Sequence, residues 1–86
     1  GYKIFYSRSA EKYLSRLVSS KVSAILKRIT YISLNPFKPD NNIVKLAGTV
    51  SGYRLRVGDI RVIYELDLKN KSIYVVKIRP RGSIYV

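Results

Sequence analysis

Three arginines, Arg54, Arg56 and Arg61, are the residues of this chain whose type and spacing point most directly to chemistry. They lie in the stretch Gly52-Tyr53-Arg54-Leu55-Arg56-Val57-Gly58-Asp59-Ile60-Arg61-Val62-Ile63-Tyr64, which reads as two alternating strands joined by Gly58-Asp59. A leading glycine takes φ > 0 readily and matches the twist of a two-residue hairpin loop. That loop sets Val57 opposite Ile60, Arg56 opposite Arg61, Leu55 opposite Val62 and Tyr53 opposite Tyr64. One hairpin face is then apolar, and the other carries Arg54, Arg56 and Arg61 together. Like charges directly opposite one another destabilise a sheet by roughly a few tenths to 1 kcal/mol. Folding alone gives no reason for that placement, whereas a polyanion held between the guanidiniums does.

Other chemistries are narrowed by what the sequence lacks. It has no His and no Cys, so imidazole acid/base pairs, disulfides and thiolate or His-ligated metal sites are not available. Its five carboxylates, Glu11, Asp40, Asp59, Glu65 and Asp67, do not form the cluster that two-metal phosphodiester chemistry needs. No Gly-rich phosphate loop or nucleophile motif is present. Guanidiniums and tyrosines remain. Fixed positive charge of this kind suits stabilisation of a phosphorane-like dianion without a cofactor. It equally suits plain phosphate binding with bases stacked on tyrosine. Glu65, on the arginine side of the hairpin, is expected to temper that charge. The helix cations Lys12, Arg16, Lys21, Lys27 and Arg28 read as a solvated face.

The elements that must position these groups follow from pattern. Residues 2–6 are aromatic and β-branched, a first strand. Ser7 or Ser9 can cap a helix over residues 9–19, marked by Ala10, Tyr13, Leu14, Leu17 and Val18 at helical spacing. Ser19-Ser20 interrupts the pattern, and Val22, Ile25, Leu26, Ile29 and Ile32 mark a second helix ending near Leu34. Two prolines and three asparagines make residues 35–42 a loop. Ile43 to Leu46 is a short strand candidate. After the arginine hairpin comes a turn at residues 68–71, where Asn70 suits the left-handed region, and a last strand at Ile73 to Ile78. The expected fold is α+β: a mostly antiparallel sheet of about four strands, with an N-terminal helical hairpin on one face, in the order β-α-α-β-β-β. The helices cover the Leu55/Val62 side. If Asp67 pairs with Ser72, regular alternation sends Lys77 to the core and Tyr74, Val76 and Ile78 to the open face, unless a bulge shifts the strand.

The 86 residues are read as a single domain, 1–86, with one modest core. There are 17 Lys+Arg against 5 Asp+Glu, a formal charge of +12. Residues 1–42 hold 8 basic and 2 acidic groups and residues 43–86 hold 9 and 3, so each half carries +6. The charge therefore belongs to the whole domain and not to a tail. It attracts polyanions and works against compaction. Nucleic acid is the leading partner class, ahead of a membrane surface or an acidic protein. No apolar run approaches the ~18 residues of a membrane span. With no secretory leader read, a cytoplasmic location is the default expectation.

From Tyr2 to Tyr85 the chain resembles the RelE/ParE superfamily of toxins from toxin–antitoxin pairs. The resemblance rests on Lys45-Leu46-Ala47-Gly48, on residues 53–64, and on Arg79-Pro80-Arg81-Gly82-Ser83-Ile84-Tyr85, in that order behind a strand–helix–helix start. The RelE branch is the more similar. It implies a ribosome-dependent endoribonuclease that cuts messenger RNA by 2′-OH attack on the adjacent phosphate, with no metal or other cofactor. It also implies a cognate acidic RelB-like antitoxin, and a toxin–antitoxin complex that binds operator DNA. Carried over by position, the basic hairpin residues are Arg54 and Arg56, and the phosphate-stabilising arginine is Arg61. The group that protonates the leaving 5′ oxygen is Arg79 or Arg81, and the substrate-orienting tyrosine is Tyr85. Lys45, with Arg54 and Arg56, is an RNA-binding candidate. Some relatives carry lysines at the two hairpin positions. Arginine stays protonated at neutral pH, so the general base is left unassigned. The alternatives are a ParE-like toxin acting on DNA gyrase and a non-catalytic basic RNA-binding domain.

Overall fold

The computed structural model describes residues 1–81. Its elements are β1 (Lys3–Tyr6), α1 (Arg8–Ser15), α2 (Ser19–Leu34), β2 (Ile43–Lys45), β3 (Gly52–Val57), β4 (Ile60–Asp67) and β5 (Ser72–Pro80). The strands form one sheet in the order β1-β5-β4-β3-β2, with β1 parallel to β5 and every other pair antiparallel. The sheet thus has five strands where about four were expected, since the short β2 pairs with β3 at the edge.

Both helices lie on one face of the sheet, as the apolar periodicity implied. The core joins Ala10, Ile25, Ile29 and Ile32 to Leu55, Ile60, Val62, Tyr64, Leu66, Ile73, Val75 and Ile78. Full burial of one such aliphatic side chain is worth about 1.5–3 kcal/mol. Tyr53 and Tyr64, cross-strand partners, stack with ring centroids 5.5 Å apart on this side.

The helix boundaries differ from the expected ones. α1 stops at Ser15, and the serine pair read as a break opens α2. The N–H groups of a first helical turn lack intrahelical partners anyway, so serines sit there at little cost. Ser7 caps α1, its hydroxyl accepting from the Ala10 N–H at 3.0 Å.

The last strand contains the bulge that the sequence left open. Ile63 pairs with Lys77 while Tyr64 pairs with Val75, so Val76 is the extra residue. The alternation resets there: Ile73, Val75 and Ile78 are buried, whereas Tyr74 and Lys77 are exposed. Lys77 therefore avoids the core, and Ile78 does not reach the open face. At the preceding turn the left-handed residue is Lys71 (φ 48), not Asn70. Asn70 instead binds Asp67, through its backbone N–H (3.1 Å) and its side-chain amide (2.8 Å). No helix among the described residues is long and apolar enough to cross a membrane.

Candidate phosphate-binding site

Gly58 adopts φ +59 and closes the β3–β4 hairpin in the register that the two-residue loop implies. Arg56 is the cross-strand partner of Arg61, and Arg61 is in turn the partner of Arg79 on β5. One row across three strands is therefore all arginine. The next row holds Val44, Arg54, Ile63 and Lys77, about 6.6 Å further along the strands. Both rows belong to the sheet side away from the helices.

The loop before β2 closes one side of this surface. The Arg56 N–H donates to the Asn42 carbonyl at 2.8 Å, and Arg56 Nη2 donates to Asn42 Oδ1 at 3.0 Å. Asn41, Asn42, Val44, Arg54, Arg56 and Arg61 then line a polar recess of about 100 Å³. That is well below the ~300 Å³ at which drug-sized ligand pockets begin, so the recess accommodates a group of phosphate size. Of this lining, Arg61 has its Nη1 buried with no hydrogen-bond partner among the described residues. A buried charged donor left unmade costs at least about 1–3 kcal/mol, a cost that an anionic oxygen would remove.

Nearby carboxylates do not neutralise this row. The ion pairs among the described residues are Lys21–Asp59 (3.7 Å) and Arg28–Asp40 (2.5 Å), and neither involves Arg56, Arg61 or Arg79. Glu65 shares the open face but stands between Gly52 and Tyr74, away from the arginine row. Beyond it lies an aromatic pair on the same face, Phe5 and Tyr74, stacked at 5.2 Å and exposed by 45% and 41%. Guanidiniums donate and do not accept. The chemistry of the recess suits an anion and growing negative charge, and guanidiniums do not take up a proton.

Not every candidate joins the recess. Lys45 pairs with Tyr53, on the opposite face from Arg54, and its ammonium donates to the Thr49 carbonyl at 2.9 Å. It borders a separate groove with Phe37, Asp40 and Tyr53, apart from the recess that Arg54 and Arg56 line. Period-2 alternation along β2 puts Val44, not Lys45, beside Arg54. Arg79 continues the arginine row and also borders a groove with Tyr13 and Arg16 of α1. Arg81 is exposed, and its backbone N–H donates to the Asp59 carbonyl at 2.6 Å, tying the end of β5 to the hairpin turn. Tyr85 lies outside the described residues.

Arg28 is not part of a solvated face: it is ion-paired with Asp40, and sequence reasoning also missed Asn41 and Asn42. The Asp40-x-Asn42 spacing carried a signal, since an aspartate commonly accepts from the backbone N–H two residues on. Asp40 Oδ1 does so at 2.8 Å. The Arg28 hydrogen bond, reinforced by the Asn42 N–H, holds the Asp40 carboxyl below its usual range.

No family model matches this sequence, and a search of curated proteins also finds no match. Solved structures do match. The archaeal RelE–RelB complex from Pyrococcus horikoshii contains a chain 30% identical to this one, with a TM-score of 0.83, over 95% of this chain and 97% of that chain. This chain belongs to the RelE toxin family. The isolated E. coli RelE toxin shares the fold at 19% identity and a TM-score of 0.80, over 99% of this chain and 92% of that one. The RelB–RelE complex from Methanococcus jannaschii matches at 23% identity and a TM-score of 0.74, over 94% of each chain. In this chain's register Arg54, Arg56, Arg61 and Arg79 lie on neighbouring strands, and Lys45 alternates to the other face from Arg54.

Proposed function

We propose that this chain is the toxin of a toxin–antitoxin pair and that it cuts messenger RNA on the ribosome. The observation that carries the reading is that Arg61 lines a phosphate-sized recess with Arg56 while its buried Nη1 has no hydrogen-bond partner among the described residues. In this mechanism the ribose 2′-oxygen forms a bond to the adjacent phosphorus and the bond from phosphorus to the 5′-oxygen breaks. The 2′-hydroxyl gives up its proton and the 5′-oxygen gains one, leaving a 2′,3′-cyclic phosphate and a 5′-OH. Arg61 and Arg56 stabilise the phosphorane charge, preorganised by the sheet so that little reorganisation is needed during reaction. Alignment of the 2′-oxygen with the bond that breaks supplies a further part of the rate. Arg79 or Arg81 donates to the departing oxygen, and Tyr85 orients the substrate. The acceptor of the 2′ proton is unassigned.

An antitoxin partner is supported by the similarity to RelE chains from RelE–RelB complexes. The chain's +12 charge favours an acidic segment in that partner, which relieves self-repulsion as it covers the arginines.

The test is cut-site mapping on translated messenger with the parent and with a chain carrying Arg61→Ala and Arg81→Ala together. The parent should leave cyclic phosphate ends and the double variant should leave none, with its melting temperature retained. Undiminished cutting by the double variant overturns the assignment. DNA breaks with translation initially unaffected would instead indicate action on gyrase.

A further inference from the structure

The arginine row is reached from the helix layer by a continuous polar chain. Arg28 of α2 donates to Asp40 Oδ2 at 2.5 Å, and Asp40 Oδ1 accepts from the Asn42 N–H at 2.8 Å. Asn42 in turn accepts from Arg56 twice, through its carbonyl from the backbone N–H and through Oδ1 from Nη2. Asn42 also lines the recess beside Arg56 and Arg61. The carboxylate at the middle of the chain is largely covered, with 18% of its side chain exposed.

We propose that Asn42 is a positioning residue for Arg56, itself braced through Asp40 on Arg28, so that α2 fixes the guanidinium geometry of the recess. This assignment rests on the ribonuclease reading of the recess. An exposed arginine otherwise samples many rotamers, and its planar fork is useful only when held. The acceptor chemistry fits the task. An amide oxygen orients a guanidinium without cancelling its charge, whereas a carboxylate there would compete with the phosphate for Arg56. Asp40 stands one step back, where its negative charge is met by Arg28 and reaches Arg56 only through the asparagine. Because Arg56 and Arg61 repel one another, a fixed third group is needed to keep Arg56 turned toward the recess when it is empty.

The experiment has two readouts. The first is the side-chain ¹⁵N spectrum of arginine-labelled full chain, parent against Asn42→Ala. Arg56 should show a restrained guanidinium signal that Asn42→Ala averages out and that Asp40→Asn weakens. An unchanged Arg56 signal in Asn42→Ala overturns the proposal whatever the chain cuts. The second is a double-mutant cycle on single-turnover messenger cleavage. Asn42→Ala should slow cleavage about ten- to hundredfold, the scale of a small misplacement. In an Arg56→Gln background it should have no further effect, because it acts through that side chain. Multiplicative losses in the double variant overturn the proposal. Should Asn42→Ala fold poorly, Asp40→Asn enters the same cycle, and its loss must likewise vanish with Arg56→Gln. The ribonuclease reading fails separately, when the Arg61→Ala, Arg81→Ala chain still cuts.

Discussion

Arg61 is the residue at which stability and function part company. It faces Arg56 across the hairpin and keeps one buried nitrogen without a hydrogen-bond partner among the described residues. Arg61→Met keeps the apolar stem while removing both the repulsion and the unmade bond. It should raise stability by at least about 1 kcal/mol in phosphate-free buffer, or about 4–8 °C in melting temperature for each kcal/mol gained. The same change should abolish cleavage and the stabilisation of the parent by added sulfate, and a lowered melting temperature would count against the site. Arg61→Lys should not restore cutting, because a point ammonium lacks the fork. The arginine set was legible because strand alternation and a two-residue loop leave one register. Asn42 and Arg28 were not, since the 35–42 loop has no period and its contacts depend on how it folds back.

Ser7 joins three elements. It begins α1 as the N-cap, its N–H donates to Val75, and its hydroxyl donates at 2.6 Å to the carbonyl of Val76, the bulged residue. A bulge disrupts the ladder locally, and the serine satisfies the Val76 carbonyl there. Ser7→Ala loses the cap and that bond together and should cost about 1–2 kcal/mol by chemical denaturation. Ser7→Thr should recover most of it; equal losses in the two variants would deny the hydroxyl this role. The core offers a reference: Leu55→Ala, at a fully buried site, should cost about 2–5 kcal/mol. The cap was readable from the sequence as Ser7 or Ser9. The residue that receives the bulge was not, because one extra residue in a strand leaves no local signature.

The +12 charge governs the whole molecule. Raising salt from low ionic strength should increase the melting temperature by screening self-repulsion and should weaken RNA binding steeply. A flat salt response would deny the charge this role. Acid and alkaline limits follow from groups shifted in opposite directions. The Asp40 carboxyl is lowered below 3.8, first by the Arg28 hydrogen bond and then by the Asn42 N–H. Its contribution is complete above the unfolded value and is lost as pH falls through the lower folded one. The melting-temperature gap between parent and Asp40→Asn should therefore close below about pH 4. The Tyr64 phenol is pushed from 10.0 up to about 12, by burial first and then by Tyr53. That contribution is intact below pH 10 and fades between 10 and 12. Over that range Tyr64→Phe should lose less stability than the parent.

The sequence by itself determined the fold class, the helix-covered side of the sheet and the pairing of Arg56 with Arg61, because helical period, strand alternation and turn length are local and leave few arrangements. Only the tertiary structure decided that Val76 bulges, that Lys45 faces away from Arg54 and that Asn42 grips Arg56. Those outcomes depend on where a periodless loop and an edge strand come to rest against elements distant in the chain, and burial and hydrogen bonding set that only once the layers are assembled.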